Sequence, residues 1–224
     1  MRFHRIIAGI LTAGLLSLAP VAISSPASAT VDLATTTTVS TFDTLPIVYG
    51  ETITLTSDVA GSDGTSAYRG TVTLMVATPS VPTWTTVATG DTTYASFDVH
   101  PSTNAAYKVV YSGYAALNTY ENNYAASESA PFAVAVKRKA TFRTPGLYVV
   151  GKIKPDFAHR KVILKRKQGK RYVAWKKIRT NGKGQFRVKA PNKVGFKFSL
   201  TIPSDSKFTG FTDLYQVYAA RVIG

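Results

Sequence analysis

Residues 161–202 read KVILKRKQGKRYVAWKKIRTNGKGQFRVKAPNKVGFKFSLTI. In Phe196-Lys197-Phe198-Ser199-Leu200-Thr201-Ile202 every second side chain is apolar, with Lys197, Ser199 and Thr201 between. Phe186 and Val188 alternate in the same way with Arg187 and Lys189. A period of two puts one set on each face of a strand. Gln168-Gly169 and Asn181-Gly182 are hairpin-type turn signals. They cut the stretch into strands expected over 161–167, 172–178, 185–190 and 196–202.

Outward from this stretch the same pattern continues. Further strands are expected over 140–143, 147–153 and 214–222. Upstream they are expected over 36–41, 51–59, 70–77, 84–88, 93–99, 106–111 and 132–136. Gly61-Ser62-Asp63-Gly64, Gly90-Asp91 and Pro101-Ser102 supply turns. Thr52-Ile53-Thr54-Leu55-Thr56 has one wet face and one dry face. Helical periodicity is absent. About seven short strands at roughly ten-residue spacing indicate a sandwich, and the length accommodates two in tandem. The expected class is all-β and antiparallel.

The chain has 224 residues, 45% of them hydrophobic and 17% charged. That is enough apolar material for a packed core. The absence of cysteine excludes disulfides, thiolate nucleophiles and cysteine-ligated metal sites. Arg2, His4 and Arg5 precede an uncharged apolar run from Ile6 to Leu18, then Pro20 and Ala27-Ser28-Ala29. This is the layout of a secretory signal peptide, with cleavage expected after Ala29. Pro20 and Ser24-Ser25-Pro26 argue against a continuous anchor helix. The C-terminus shows no sorting motif. The expected location is extracellular, with non-covalent association to a cell wall as an option.

Charge divides the chain. Residues 30–136 carry nine acids against two bases, a net −7. Residues 137–224 carry 23 bases against three acids, a net +20. The switch falls at Lys137-Arg138-Lys139. The expected organisation is a leader over 1–29, an acidic sandwich over 30–136 and a strongly basic one over 137–224.

Three segments of the first half carry a resemblance: VYGETITLTSDV, YRGTVTLM and YKVVYSGYAALNTYENNYAASESAPFAVAV. They resemble the bacterial immunoglobulin-like repeats of secreted actinobacterial proteins. VVGKIKP and KVILKRKQGKRYVAWKKIRTNGKGQFRV in the second half resemble companion repeats of that group. The resemblance covers nearly all of residues 31–224 and implies two tandem immunoglobulin-like sandwiches. Such modules serve as spacers, adhesins and carbohydrate or wall binders, and the resemblance brings no catalytic set. The second half departs from the pattern in its density of Lys and Arg.

No catalytic constellation emerges. His100 and His159 both sit beside turns, with no metal-ligand spacing and no G-x-S-x-G elbow in the chain. No two acids of the first half stand out as a glycosidase pair. Asp58 to Asp63 lacks the dense alternation of a calcium loop. The reading is non-enzymatic, without cofactor or metal.

The sharper expectation concerns the basic half. Lys161, Lys165, Arg166, Lys167, Lys170, Arg171, Lys176, Lys177 and Arg179 are expected on two adjacent strands and their turn, with Arg187, Lys189 and Lys197 following on neighbouring strands. Cations at strand spacing make a positive surface whose self-repulsion a polyanion relieves. The expected partner is an anionic cell-wall polymer or another polyanion. Trp175 and Tyr172 are interleaved with the charge; alternation puts them on opposite faces, leaving at most one free to stack on a base or sugar. Docking of the acidic half onto the basic one is an alternative, though −7 cannot neutralise +20. A second reading is a structural or adhesive spacer touching protein or glycan through Tyr114 and Tyr120. Tyr111 and Tyr124, in the same segment, fit a sandwich core.

Overall fold

The computed structural model describes residues 30–91 and 93–218. The leader assigned to 1–29 and the end of the strand expected over 214–222 lie outside those residues. Among the described residues there is no helix. The all-β antiparallel class expected from the sequence is what the chain adopts.

The strands of the first half are β1 (Asp32–Leu33), β2 (Thr35–Ser40), β3 (Ile47–Val48), β4 (Ile53–Gly61), β5 (Val72–Thr78), β6 (Val81–Gly90), β7 (Ser96–Val99), β8 (Ala105–Tyr111), β9 (Asn123–Tyr124), β10 (Ser127–Glu128), β11 (Phe132–Val134) and β12 (Val136–Lys137). Those of the second are β13 (Lys139–Arg143), β14 (Tyr148–Lys154), β15 (Lys161–Gln168), β16 (Arg171–Arg179), β17 (Gln185–Lys189), β18 (Lys197–Ile202) and β19 (Phe211–Gln216).

The two halves repeat one connectivity. A sheet β2-β4-β7 faces a sheet β10-β8-β5-β6, with β11 also on β8. A sheet β13-β14-β17 faces a sheet β16-β15-β18-β19. In each, the first, second and fifth long strands form one layer, and the fourth, third, sixth and seventh form the other. This is an immunoglobulin-type strand order, with the fourth strand beside the third.

Alternation builds both cores. In β4, Ile53, Leu55 and Val59 are buried while Thr54 and Asp58 face outward. They meet Val72, Leu74, Val109 and Tyr111 of the opposite layer. In the second half, Val149 and Ile153 of β14 and Phe186 and Val188 of β17 pack on Val162, Leu164, Phe198, Leu200 and Ile202. Gly151 lies on the core face of β14, where a Cβ would run into the Phe142 and Phe186 rings. The missing side chain lets those rings approach to 6.1 Å between centroids.

One expectation about connection fails. Asn181-Gly182 does not close a hairpin, because β16 and β17 belong to opposite layers. The local turn is made as expected, since Asn181 Oδ1 accepts from the Lys183 and Gln185 amides. The flanking strands then diverge: β16 pairs with β15, and β17 with β14. Gly184 has φ +69°, and a Cβ there would stand 2.5 Å from the Ile153 carbonyl oxygen. Gly184→Ala is expected to lower stability by about 2 kcal/mol or more, from left-handed strain and the backbone clash. Urea unfolding measures it, and a change below about 0.5 kcal/mol contradicts this account of the turn.

The halves meet without a linker. β12 pairs parallel with β3, and β13 begins two residues after β12 ends. Phe208, between β18 and β19, is 1% exposed and packs in the core of the first half, 6.3 Å from the Tyr49 ring. The Asn104 amide donates to the Lys207 carbonyl and the Thr209 amide to the Val136 carbonyl, both at 2.8 Å. Arg138, read in the sequence as part of a basic run, is 3% exposed and paired with Asp205. Among the described residues, none of the three ion pairs joins an acid of 30–136 to a base of 137–224. An apolar plug holds the junction, rather than acid docked onto base.

Candidate polyanion interface

All twelve nominated cations are exposed: Lys161, Lys165, Arg166, Lys167, Lys170, Arg171, Lys176, Lys177, Arg179, Arg187, Lys189 and Lys197. None takes part in an ion pair among the described residues. They do not form one surface. The register distributes them over two opposite layers and their edges.

On the four-stranded sheet, the buried row Val162, Leu164, Leu200 and Ile202 defines the core face. The alternate places carry Lys161, Lys165 and Lys167 on β15 and Lys197 on β18. Arg179 stands opposite Lys161, and Lys177 opposite Ile163. These six cations share the outer face with Thr201, Thr212 and Leu214. Lys161 and Arg179, with Arg160, also line a cleft of about 290 Å³ beside Ser204 and Asp205. Gly169, at φ +59°, and Lys170 make the tight turn that carries Arg171 into β16. Arg166 lies opposite Val173 and Phe198, in the core-side row at the sheet end.

Trp175 sits at a break in the register. Leu164 pairs with Lys176 but Lys165 pairs with Ala174, so Trp175 is the extra residue of a bulge. Its ring packs on Phe196 and Phe198 at 5.2 and 5.5 Å. It is partly buried against the core, with its ring engaged by Phe196 and Phe198 rather than held out for a ligand. The bulge also turns Lys176 toward the opposite layer, where its Nζ lies 4.8 Å from the Trp175 ring and 3.3 Å from the Lys189 carbonyl oxygen. Tyr172 is half-buried opposite Lys167.

Arg187 and Lys189 lie on β17, in the other layer, and are not neighbours of Lys197. Their outer face carries cations that the sequence reading passed over: Lys139 and Arg143 on β13, and Lys152 and Lys154 on β14. Lys139 stands opposite Lys154, and Val150 opposite both Arg143 and Arg187. Tyr148, opposite Lys189, sits under the Arg187 guanidinium at 3.7 Å and 6.0 Å from Lys189 Nζ. Charge is densest in the run 161–179. The missed residues are spread singly, but the two-residue steps Lys152–Lys154 and Arg187–Lys189 carry the same alternation.

At the far end of the first half, residues 62–71, 93–95 and 112–126 converge. Thr93 donates to the Ala67 carbonyl, Tyr111 to the Arg69 carbonyl at 2.8 Å, and Arg69 lies 3.7 Å from Glu121. Tyr111 is fully buried and Tyr124 half-buried. Tyr114 is committed internally, its hydroxyl donating to Glu121 Oε2 at 2.5 Å. That bond lifts the Tyr114 phenol above its usual range and, with the Leu117 amide, lowers the Glu121 carboxyl. Tyr120 is 88% exposed, with Leu117 and Tyr68 also exposed on the same loop end.

No protein-family model matches the chain, and no curated protein does. Among solved structures it is similar to the human OSCAR ligand-binding domain, with TM-score 0.32 and 10% identity over 84% of this chain and all of that one. It is also similar to native alpha-2-macroglobulin from Escherichia coli spanning domains MG0-NIE-MG1. There the TM-score is 0.27 with 8% identity over 81% of this chain and 64% of that one.

Proposed function

We propose that the protein is a secreted, non-enzymatic binding protein of the actinobacterial immunoglobulin-like repeat type. It attaches to an anionic polymer, at the cell wall or nearby, through its basic C-terminal half. The observation that carries this reading is a set of exposed cations on outer sheet faces, without a carboxylate partner among the described residues. Unpaired cations at strand spacing repel one another. A phosphodiester polymer relieves that repulsion and releases its counterions. The leader, the net +20 of residues 137–224 and the absence of a catalytic constellation point the same way.

The test is binding of the intact protein to Gram-positive walls, to walls stripped of teichoic-type polymers, and to duplex DNA, each across a salt series. Six phosphate contacts predict an affinity loss of about a thousandfold between 50 and 200 mM salt. Loss of binding on stripping, with weak DNA affinity, identifies a wall polymer. Equal binding to every polyanion identifies unselective attachment, and no binding at low salt refutes the reading.

A second reading, adhesion through the first half, is favoured by the exposure of Tyr120, Leu117 and Tyr68 on tied loops. Tyr120 and Tyr68 rather than Tyr114 would make such a contact. Binding through them responds weakly to salt, which separates the two readings.

A further inference from the structure

We infer that the basic half is a two-faced connector, able to hold two separate phosphodiester chains at once and so to bridge them. The inference deepens the polyanion reading and rests on it. Six cations, Lys161, Lys165, Lys167, Lys177, Arg179 and Lys197, lie on the outer face of one layer. Six others, Lys139, Arg143, Lys152, Lys154, Arg187 and Lys189, lie on the outer face of the opposite layer. All are exposed. Neither set of strand positions contains an acid: Asp213 is opposite the buried Leu200, on the core side of β19, and Asp156 and Asp205 lie in connections.

The two faces point away from each other. Packed sheets stand about 10 Å apart, and the lysine stems extend beyond them on each side. The charged heads of one layer are therefore separated from those of the other by more than a Debye length, about 10 Å at 0.1 M salt. Polyanions bound on the two sides are screened from one another. Each face has the footprint of a site of its own, since strands of five to nine residues extend about 16–30 Å. Tyr148, beneath Arg187 and Lys189, gives the three-stranded face an aromatic base that holds those cations in place. A single stiff polymer cannot serve both faces. Duplex DNA has a persistence length of about 50 nm and cannot fold around a sandwich.

Duplex DNA is therefore the probe. Two 30-base-pair duplexes carrying donor and acceptor dyes are mixed with purified intact protein at about 0.1 M salt, and energy transfer and stoichiometry are read together. The variants replace the six cations of one face with glutamine, in two versions, one per face. Triple variants, K161Q/K165Q/K177Q and K139Q/K152Q/K154Q, touch only exposed lysines and leave the Arg187–Tyr148 stack intact. Circular dichroism checks folding throughout. The expected result is two duplexes per protein with strong energy transfer for the natural sequence. Each six-residue variant should bind one duplex and lose at least tenfold in transfer, while the triple variants fall between. If either six-residue variant still bridges, the opposed faces are not the two sites; if one loses all binding while the other behaves as the natural protein, there is a single site; either result overturns the inference. Binding at one duplex per protein with no transfer also overturns it while leaving the polyanion reading intact. Absence of any DNA or wall binding removes both. Clumping of wall fragments by the natural protein, abolished by stripping them, carries the result from DNA to wall polymer.

Discussion

Asp205→Ala is expected to destabilise the protein by about 3–5 kcal/mol. The reason lies in what the substitution leaves behind. The Arg138 guanidinium is 2.6 Å from Asp205 Oδ2 through Nη2, and its Nε donates to the Pro155 carbonyl at 3.0 Å. Phe208 lies 4.2 Å from the guanidinium carbon and Phe157 5.1 Å. Among the described residues, Nη1 is already buried without a partner. An arginine cannot shed its proton to escape, so loss of the carboxylate strands a buried charge. Asp205 Oδ1 also accepts from the Lys207 and Phe208 amides, so alanine opens the loop that carries Phe208. Asp205→Asn keeps a carbonyl acceptor and should cost less. Arg138→Met alone should cost less than Asp205→Ala, since it leaves only a partly exposed carboxylate. Urea unfolding at pH 7 decides, and a loss below about 1 kcal/mol means that the pair behaves as a surface one.

The pair also sets an acid limit. Burial opposes ionisation of Asp205, but the bond from Arg138 and the two amides outweigh it, so the carboxyl lies below its usual value. A lowered folded pKa contributes stability that is complete above the unfolded value, about 3.9. The contribution drains away as pH falls through the folded value. The natural protein should therefore lose stability below about pH 4 more steeply than Asp205→Asn, which has no such group. Parallel acid titrations of the two would sink the assignment.

Phe208→Ala is expected to cost a similar amount, about 3–5 kcal/mol, and to change the shape of unfolding. Phe208 belongs by sequence to the basic half but is buried in the core of the acidic one. Truncation leaves a cavity under Tyr49 and removes the ring from the Arg138 guanidinium. The remaining ties are backbone bonds around Asn104, Lys207, Thr209 and Val136, the Tyr49 amide on the Lys137 carbonyl, and the Thr209 hydroxyl on Asn104 Oδ1. Calorimetry should show one transition in the natural protein separating into two in the variant. Phe208→Leu should retain most of the coupling. One unchanged transition in the alanine variant would mean that the halves are joined by something other than this plug. The Phe208 and Asp205 effects should not add, because both act on Arg138.

Much of the strand pattern was legible in the residues. Alternation in Thr52–Thr56 and in Phe196–Ile202 follows from burial on one face, a local property that a sequence displays directly. The exposure of the nominated cations was legible for the same reason. Their grouping was not. Arg187 and Lys189 follow Arg179 closely in sequence, yet the turn at Asn181 carries the chain to the opposite layer. Layer membership depends on which strands pair, and pairing is a non-local choice that a turn signal does not encode. The single extra residue at Trp175 is of the same kind: its bulge exists only against the register of β15. Arg138 shows the limit most directly. Composition placed it in a basic run, and its burial arises from Asp205, sixty-seven residues away. The sequence by itself determined the strand class, the charge division and the exposure of the nominated cations: the first and last follow from neighbours two places apart, and the second from composition. Only the tertiary structure decided that the cations form two opposed faces, that one phenylalanine of the basic half is buried in the core of the acidic one, and that one arginine is buried beside it. Those features rest on contacts between distant segments, where burial reverses what composition alone suggests.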